Sequence, residues 1–322
     1  MAISTESVIQ VSENVQVITG VTNIGIIDGG STGNVYCPEL YLVDSGGDSG
    51  AGKKIYKTLE QLYPEGFILK AIISTHSNAD HIGGNKWLSN KTGCQIWASL
   101  GERGSIEQPF LEPTVIWGGY PFKEITGKMY VAPASSVDKI IDYSKIISLP
   151  NGGKLQFIPL PGHYFDQTGI LHTTLRGKKT LFLGDSLFGR YVIKKYWIPF
   201  LFDVAAFKAT LEKIKNITAQ TYVPSHGDLE NEIDALSELN LIAILETEAS
   251  IIKALNNPMT SEELLKHIAD LNGIKLADGQ FVLIGSTLRS YLSHLQNEGK
   301  IHHWIEENRM YWKSVNSVAT KL

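Results

Sequence analysis

The residues best equipped for chemistry run from Thr75 through His76, Ser77, Asn78, Ala79, Asp80, His81, Ile82, Gly83 and Gly84 to Asn85. Three metal-ligating side chains, His76, Asp80 and His81, fall within six positions. Imidazole supplies neutral nitrogen and carboxylate supplies hard anionic oxygen, a mixture that suits zinc, iron or manganese. The β-branched run at 68–74 predicts a strand leading into this stretch, and the two glycines with Asn85 predict the start of a helix after it. The polar side chains would then sit on a tight loop at a strand's carboxyl end, where several can converge on one point. Alone, such a cluster also fits a solvated loop.

Three more short motifs repeat the arrangement. Pro161-Gly162-His163 follows an expected strand at 155–159, Gly184-Asp185-Ser186 follows one at 180–183, and Pro224-Ser225-His226-Gly227 follows one at 220–223. Each sets one candidate ligand beside a glycine that lets the backbone turn sharply. In open α/β layers, ligands gather outside the carboxyl ends of the strands, so the four clusters are expected to share an edge.

The elements that must position them are an alternation of short strands and helices. Further strands are expected at 15–19, 39–43, 95–98 and 170–174, and helix-period stretches at 53–62, 85–91, 203–214 and 231–255. That pattern predicts one large layered α/β domain. The 322 residues, 43% hydrophobic and 19% charged, lie in the ordinary globular range and are enough to bury a large core without disulfide or metal staples. A net charge of −4 argues against sequence-independent attraction to nucleic acid or anionic lipid. Cys37 and Cys94 form neither a disulfide framework nor a zinc knuckle. With no signal-peptide pattern and no apolar run long enough to cross a bilayer, the expectation is a cytoplasmic protein that does not engage membranes.

The ordered motifs THSNADHIGGN, PGHYFDQTG, LFLGDSLFG and VPSHG, with Asp44 upstream in YLVDSG, resemble those of the metallo-β-lactamase superfamily over roughly residues 15–230. The resemblance implies an αββα sandwich with one or two divalent metal ions, most readily zinc, with iron or manganese as alternatives. It places His76, Asn78 and His163 at a first metal, Asp80, His81 and His226 at a second, Asp185 between them, and Asp44 as an outer carboxylate orienting the ligands. One departure stands out: the family usually has His where this chain has Asn78, and an amide is a weak, neutral ligand. The second position is therefore expected to hold metal more tightly than the first. A bound divalent ion lowers the pKa of its water toward about 7 and polarises a carbonyl or phosphoryl oxygen. Asp80 or Asp185 would hold the attacking water or accept its proton.

Other signals carry less. The stretch 47–54, GDSGAGKK, approaches a phosphate-cradling loop but has Lys54 where a hydroxyl should hold magnesium, and it reads as a flexible turn. Residues 28–33, DGGSTG, read as a hairpin turn. Cys37 reads as a buried or structural thiol and His172 as a packed strand residue. Tyr164, Tyr196 and Trp197 are pocket candidates. His267, His294, His302 and His303 lack ligand spacing.

The segment 108–136, rich in Pro, Gly and aromatics without periodicity, is expected to be irregular, either a lid or binding loop or a cover over core. From Pro258 the texture becomes helix, helix, hairpin, the order of a winged-helix module, with seven acidic and seven basic residues over 258–322. That balance lacks the basic face a DNA reader needs and points to packing on the main domain or to pairing two subunits in a homodimer. The expected division is a hydrolase domain over 1–240 and a winged-helix-like domain over 241–322. The expected activity is hydrolysis of a small-molecule ester, thioester or lactone, or of a phosphodiester. Two alternatives remain at this level: a hydrolytically impaired binding or regulatory protein marked by Asn78, and a ribonuclease, against which the balanced charge argues.

Overall fold

The computed structural model describes residues 7–33, 37–195 and 198–315. Seven strands form a first sheet in chain order: β1 (Ser7–Ser12), β2 (Val15–Thr19), β3 (Ile24–Asp28), β4 (Glu39–Val43), β5 (Ile68–Ile73), β6 (Gln95–Ala98) and β7 (Lys139–Ile140). The pairs from β1 to β4 are antiparallel and those from β4 to β7 parallel. Parallel neighbours need crossovers. Helix α1 (Ser49–Leu62) supplies the first, α2 (Ala79–Ile82) and α3 (Asn85–Thr92) the second, and α4 (Leu100–Glu107) with α5 (Leu111–Trp117) the third.

A second sheet has the order β12-β11-β10-β9-β8, from β8 (Ile146–Ser148), β9 (Lys154–Pro159), β10 (Thr168–Thr173), β11 (Lys179–Gly184) and β12 (Thr221–Pro224). Helices α6 (Arg190–Lys195) and α7 (Val204–Lys215) lie between β11 and β12. After β12 come α8 (Asp234–Ala254), α9 (Ser261–Leu271) and α10 (Asp278–Asn297), then a hairpin of β13 (Ile301–Glu306) and β14 (Arg309–Ser314).

Period-2 alternation explains the layering. Tyr41, Val43, Ala71 and Ile73 point between the sheets to meet Leu155, Phe157, Ile170 and Phe182, whereas Leu40, Leu42 and Ile72 point outward against Ile55 and Leu59 of α1 and Leu88 of α3. On the far side, Leu160, Leu181 and Leu183 pack with Phe207 and Leu211 of α7 and Ile244 of α8. The result is the expected helix-sheet-sheet-helix stack. Leu264 and Ile268 of α9 and Leu288, Tyr291 and Leu295 of α10 belong to that same outer core. Helix α8 runs unbroken through residue 240.

The segment 108–136 is not irregular throughout: its residues Leu111–Trp117 form α5 and Lys123–Ile125 a 3-10 turn. Packing supplies what periodicity did not, because Ile116, Ile125 and Tyr130 bury against Val282 of α10. Likewise 47–54 is ordered rather than flexible. Asp48 caps α1 by accepting the Ala51 N–H at 2.9 Å.

Candidate metal centre

Strands β4, β5, β9, β11 and β12 all deliver their carboxyl ends to one edge of the stack. Asp44 follows β4, the 75–81 loop follows β5, His163 follows β9, Asp185 follows β11 and His226 follows β12. Residues spread over the sequence therefore meet. His76, His163 and Asp185 place one potential ligand atom each within 4.8 Å of one another, and Asp80, His81 and His226 do the same. Asp185 reaches both groups. Its Oδ1 is 3.5 Å from His81 Nε2, while its Oδ2 is 3.3 Å from His226 Nε2 and 3.6 Å from His163 Nε2. Asp80 Oδ2 lies 3.1 Å from His226 Nε2.

The loops are held close by missing side chains and by hydrogen bonds. A Cβ on Gly83 would come within 2.2 Å of the Gly47 backbone, so only glycine lets the 45–47 turn lie against the start of the site helices. Asn23 Nδ2 donates to the carbonyls of Pro224 and Gly227, both at 2.8 Å, and pins the turn that carries His226. Buried Glu102 accepts from the Ser77 N–H at 3.0 Å, the Ser77 hydroxyl at 2.6 Å and the Asp166 N–H at 2.8 Å, tying the 75–81 loop to the loop after His163. Burial pushes the Glu102 carboxyl up to about 7 against the pull of those donors.

Each imidazole is aimed by an acceptor at its Nδ1. His81 Nδ1 sits 2.8 Å from Asp44 Oδ2, His76 Nδ1 3.0 Å from Thr75 Oγ1, His163 Nδ1 2.8 Å from the Phe200 carbonyl and His226 Nδ1 2.6 Å from the Val21 carbonyl. Thr75 in turn donates its hydroxyl to Asp44 Oδ2 at 2.9 Å and its N–H to Asp44 Oδ1 at 2.8 Å. Acceptors at Nδ1 turn the four Nε2 atoms toward the centre. The buried atoms His76 Nε2, His81 Nε2 and Asp185 Oδ1 have no hydrogen-bond partner, which is costly unless something else satisfies them. A cation does so. The donor set of nitrogens and carboxylate oxygens fits a divalent transition metal.

The electrostatics divide the four rings, because the carboxylates draw positive charge to two of them. Burial and the neighbouring rings hold His76 well below the ordinary imidazole value, and burial also lowers His163. Burial opposes the charge on His81 and His226, but the carboxylates outweigh it. Asp80, Asp185 and Asp44 push His81 up to about 9, and Asp185 and Asp80 hold His226 well above its usual range. Conversely, burial is outweighed at Asp80 by His81 and His226, and at Asp185 by His226 and His81, so both stay well below the carboxylate range. The carboxylates are anionic and call for positive charge.

Asn78 lies beside this group rather than outside it. Its Oδ1 is 3.0 Å from His163 Nε2, and its Nδ2 donates to Glu112 Oε1 at 3.0 Å. Glu112, buried on α5, is a residue that sequence reasoning missed. Burial and the charge of Asp80 raise its carboxyl well above the usual range, against hydrogen bonds from Asn78 and the Ala79 N–H. Tyr164 packs near His76 with ring centroids 6.3 Å apart, and Phe188 and Phe200 stand 5.6 and 5.5 Å from the His163 ring. Tyr196 and Trp197 lie outside the described residues.

His172 is a packed residue of β10, as its strand pattern implied. His294 has more company than its spacing indicated: with Glu248 and Glu298 it forms a third His/acid group. There Glu248 already accepts from His294 at 3.1 Å, Lys208 at 2.9 Å and Lys300 at 3.4 Å, so the group is a neutralised ion-pair network.

The family profile of the metallo-β-lactamase superfamily matches residues 19–226, and the chain belongs to that superfamily. It is similar to a hydroxyacylglutathione hydrolase from Thiobacillus denitrificans, 27% identical over 191 residues that make up 57% of this chain; the chain spans 58% of that relative's length. Among solved structures, a beta-lactamase domain protein from Burkholderia ambifaria superposes with a TM-score of 0.72 at 12% identity, covering 98% of this chain and 95% of the other. A metallo-β-lactamase family protein from Thermus thermophilus gives 0.66 at 17% identity, covering 92% and 94% respectively. At those identities the likeness is one of fold.

Proposed function

We propose that this protein is a metal-dependent hydrolase that cleaves a small-molecule ester or thioester, with zinc as the metal. The observation that carries the reading is the aim of four imidazole Nε2 atoms and Asp185 into one space, each ring set by an acceptor at Nδ1. His76, Asn78, His163 and Asp185 would hold one ion, and Asp80, His81, His226 and Asp185 the other. The ion supplies a water acidic enough to ionise near neutral pH and an electrophile for the substrate oxygen.

The chain's own groups do the rest. The Asp80 side chain is 45% exposed, the most open of the three carboxylates in the centre, and its oxygens are placed to hold a water and accept its proton. Phe200, half-buried against the His163 ring with Phe188 and Tyr164 packed behind, offers an apolar side to an acyl group. The name of the Thiobacillus denitrificans relative, hydroxyacylglutathione hydrolase, supports the thioester choice. Water adds across the acyl C–S bond, giving a carboxylic acid and a thiol.

We read residues 241–322 as the winged-helix-like unit, on the order α9, α10, hairpin. It braces the segment beside the site: Arg289 of α10 donates to the Ile116 carbonyl at 3.2 Å, and Val282 packs on Ile116.

A panel of p-nitrophenyl acetate, acyl-thioesters and bis-p-nitrophenyl phosphate, run on zinc-loaded protein, tests the activity. Turnover of an ester or thioester that Asp185→Ala abolishes is the expected result. Turnover of the phosphodiester alone overturns the substrate class, and no turnover of any of them favours the impaired, binding-only alternative that Asn78 suggested.

A further inference from the structure

Glu112 brings a carboxylate into contact with the centre from outside every motif. Its side chain is buried, on a helix of the 108–136 segment that is itself fixed from behind by Val282 and Arg289 of α10. Its Oε1 accepts the Asn78 Nδ2–H at 3.0 Å. On the opposite side of the same amide, Asn78 Oδ1 faces His163 Nε2 at 3.0 Å. We propose that Glu112 is a positioning residue: it fixes the Asn78 amide with its carbonyl oxygen turned into the first metal position, so that Asn78 serves there as an oxygen ligand. The inference rests on the reading of the centre as a divalent-cation site.

Three observations converge on it. First, Asn78 Nδ2 donates to Glu112 Oε1 at 3.0 Å, so the NH2 of the amide faces Glu112 and the carbonyl turns away from it. Second, the Phe200 carbonyl takes the His163 Nδ1 proton at 2.8 Å, which leaves Nε2 as a bare lone pair in the neutral ring. Nε2 and Asn78 Oδ1 are then two acceptors 3.0 Å apart with no proton to share. Two ligands of one cation meet this way, since metal–ligand bonds of about 2.1 Å put neighbouring ligand atoms roughly 3 to 3.4 Å apart. Third, a side-chain amide is a weak ligand partly because it is free to rotate, and partners that orient a ligand typically account for about 10–100-fold in metal affinity.

The test is a titration of metal-free protein with Zn2+ against a competing chelator, with His163→Ala and His226→Ala marking which affinity belongs to which position. Glu112→Leu is expected to weaken the first position about tenfold or more and leave the second within about threefold. Glu112→Gln, whose Oε1 can accept the same N–H, is expected to keep both within about threefold of the unmodified protein. Equal loss at both positions, no loss in Glu112→Leu, or an unmodified protein that holds no ion at the first position overturns the proposal. Should Glu112→Leu not fold, the pair Asn78→Asp and Asn78→Asp/Glu112→Gln decides the matter. In the single variant the two carboxyl groups share a proton that occupies the residue-78 ligand and weakens the first position, and the double variant supplies an amide donor in its place and regains it. A double variant no tighter than the single one overturns the idea. Unmodified protein that binds no zinc anywhere would instead sink the metal-site reading itself.

Discussion

Asp44 and His81 face each other at 2.8 Å, Oδ2 to Nδ1, across two loops, and Asp44 makes the contact from a backbone φ of +63°. A non-glycine residue in that region is uncommon, and Asp and Asn are among the few types that reach it readily. Three donors converge on its carboxylate: the Thr75 N–H, the Thr75 hydroxyl and His81 Nδ1. Asn tolerates the same φ, so Asp44→Asn is a clean replacement. Its NH2 must confront at least one of those donors, and the His81 proton is free to move to Nε2, where it blocks a metal bond. We expect zinc affinity at the second position to fall about 10–100-fold with little change in fold. Chelator competition together with circular dichroism checks both halves, and unchanged affinity refutes the role.

Among the described residues, Asp185 is the one side chain whose two oxygens reach both histidine groups. Asp185→Ala is therefore expected to weaken both zinc positions by about tenfold or more, whereas His163→Ala should affect the first alone and His226→Ala the second alone. Stoichiometry measured by elemental analysis after gel filtration reads the difference. If Asp185→Ala removes one ion and leaves the other at full affinity, Asp185 serves a single position.

The sequence exposed the ligands because they follow short runs of β-branched, aromatic and aliphatic residues, three of them, His163, Asp185 and His226, beside a glycine. The strand ends at Ile73, Pro159, Gly184 and Pro224 could be placed to within a residue or two, and the ligands follow by chain connectivity. What stayed hidden depends on tertiary packing. Strand β1 is almost wholly exposed and lacks an alternating pattern, and β3 runs into a polar glycine stretch that masks it. Helix α5 has seven residues, too few for a period to emerge, and becomes helical against α10. Nothing local separates its Glu112 from a solvated acid. The partners of His294 were hidden for a different reason: Glu298 is one turn away, but Glu248 lies 46 positions upstream.

His172 couples stability to pH. It is fully buried in β10, and neither ring nitrogen has a hydrogen-bond partner. Burial pushes its pKa down to about 4, whereas the unfolded chain titrates near the ordinary 6.5. The depressed value means that the unfolded state takes up the proton first. The contribution is fully present above pH 6.5, declines as pH falls from there, and is gone below about 4. At about 1.4 kcal/mol per pH unit, the drop by pH 4.5 is about 2.5 kcal/mol. Urea unfolding of metal-free protein at pH 7 and 4.5 reads it. His172→Leu should lose less stability over that interval than the unmodified chain, and equal losses exclude His172 as the source.

Replacing Asn78 with His separates a weakened metal site from one tuned to work with an amide. In the present arrangement Asn78 spans from Glu112 Oε1 to His163 Nε2, 3.0 Å on either side. An imidazole offers the same two faces: one N–H for the Glu112 carboxylate and one lone pair for a cation. It is also a stronger ligand than an amide carbonyl for zinc. Affinity at the first position is therefore expected to rise about tenfold or more, with the second unchanged, because Asp80, His81 and His226 are untouched. Ester and thioester turnover then distinguishes two histories. Turnover that rises with occupancy means that Asn78 limits the enzyme by starving its first position. Turnover that falls while occupancy rises means that the weak amide ligand is part of how the centre works, and that Glu112 holds it for that purpose. A first position no tighter in Asn78→His than in the unmodified chain would show that residue 78 contacts no metal at all.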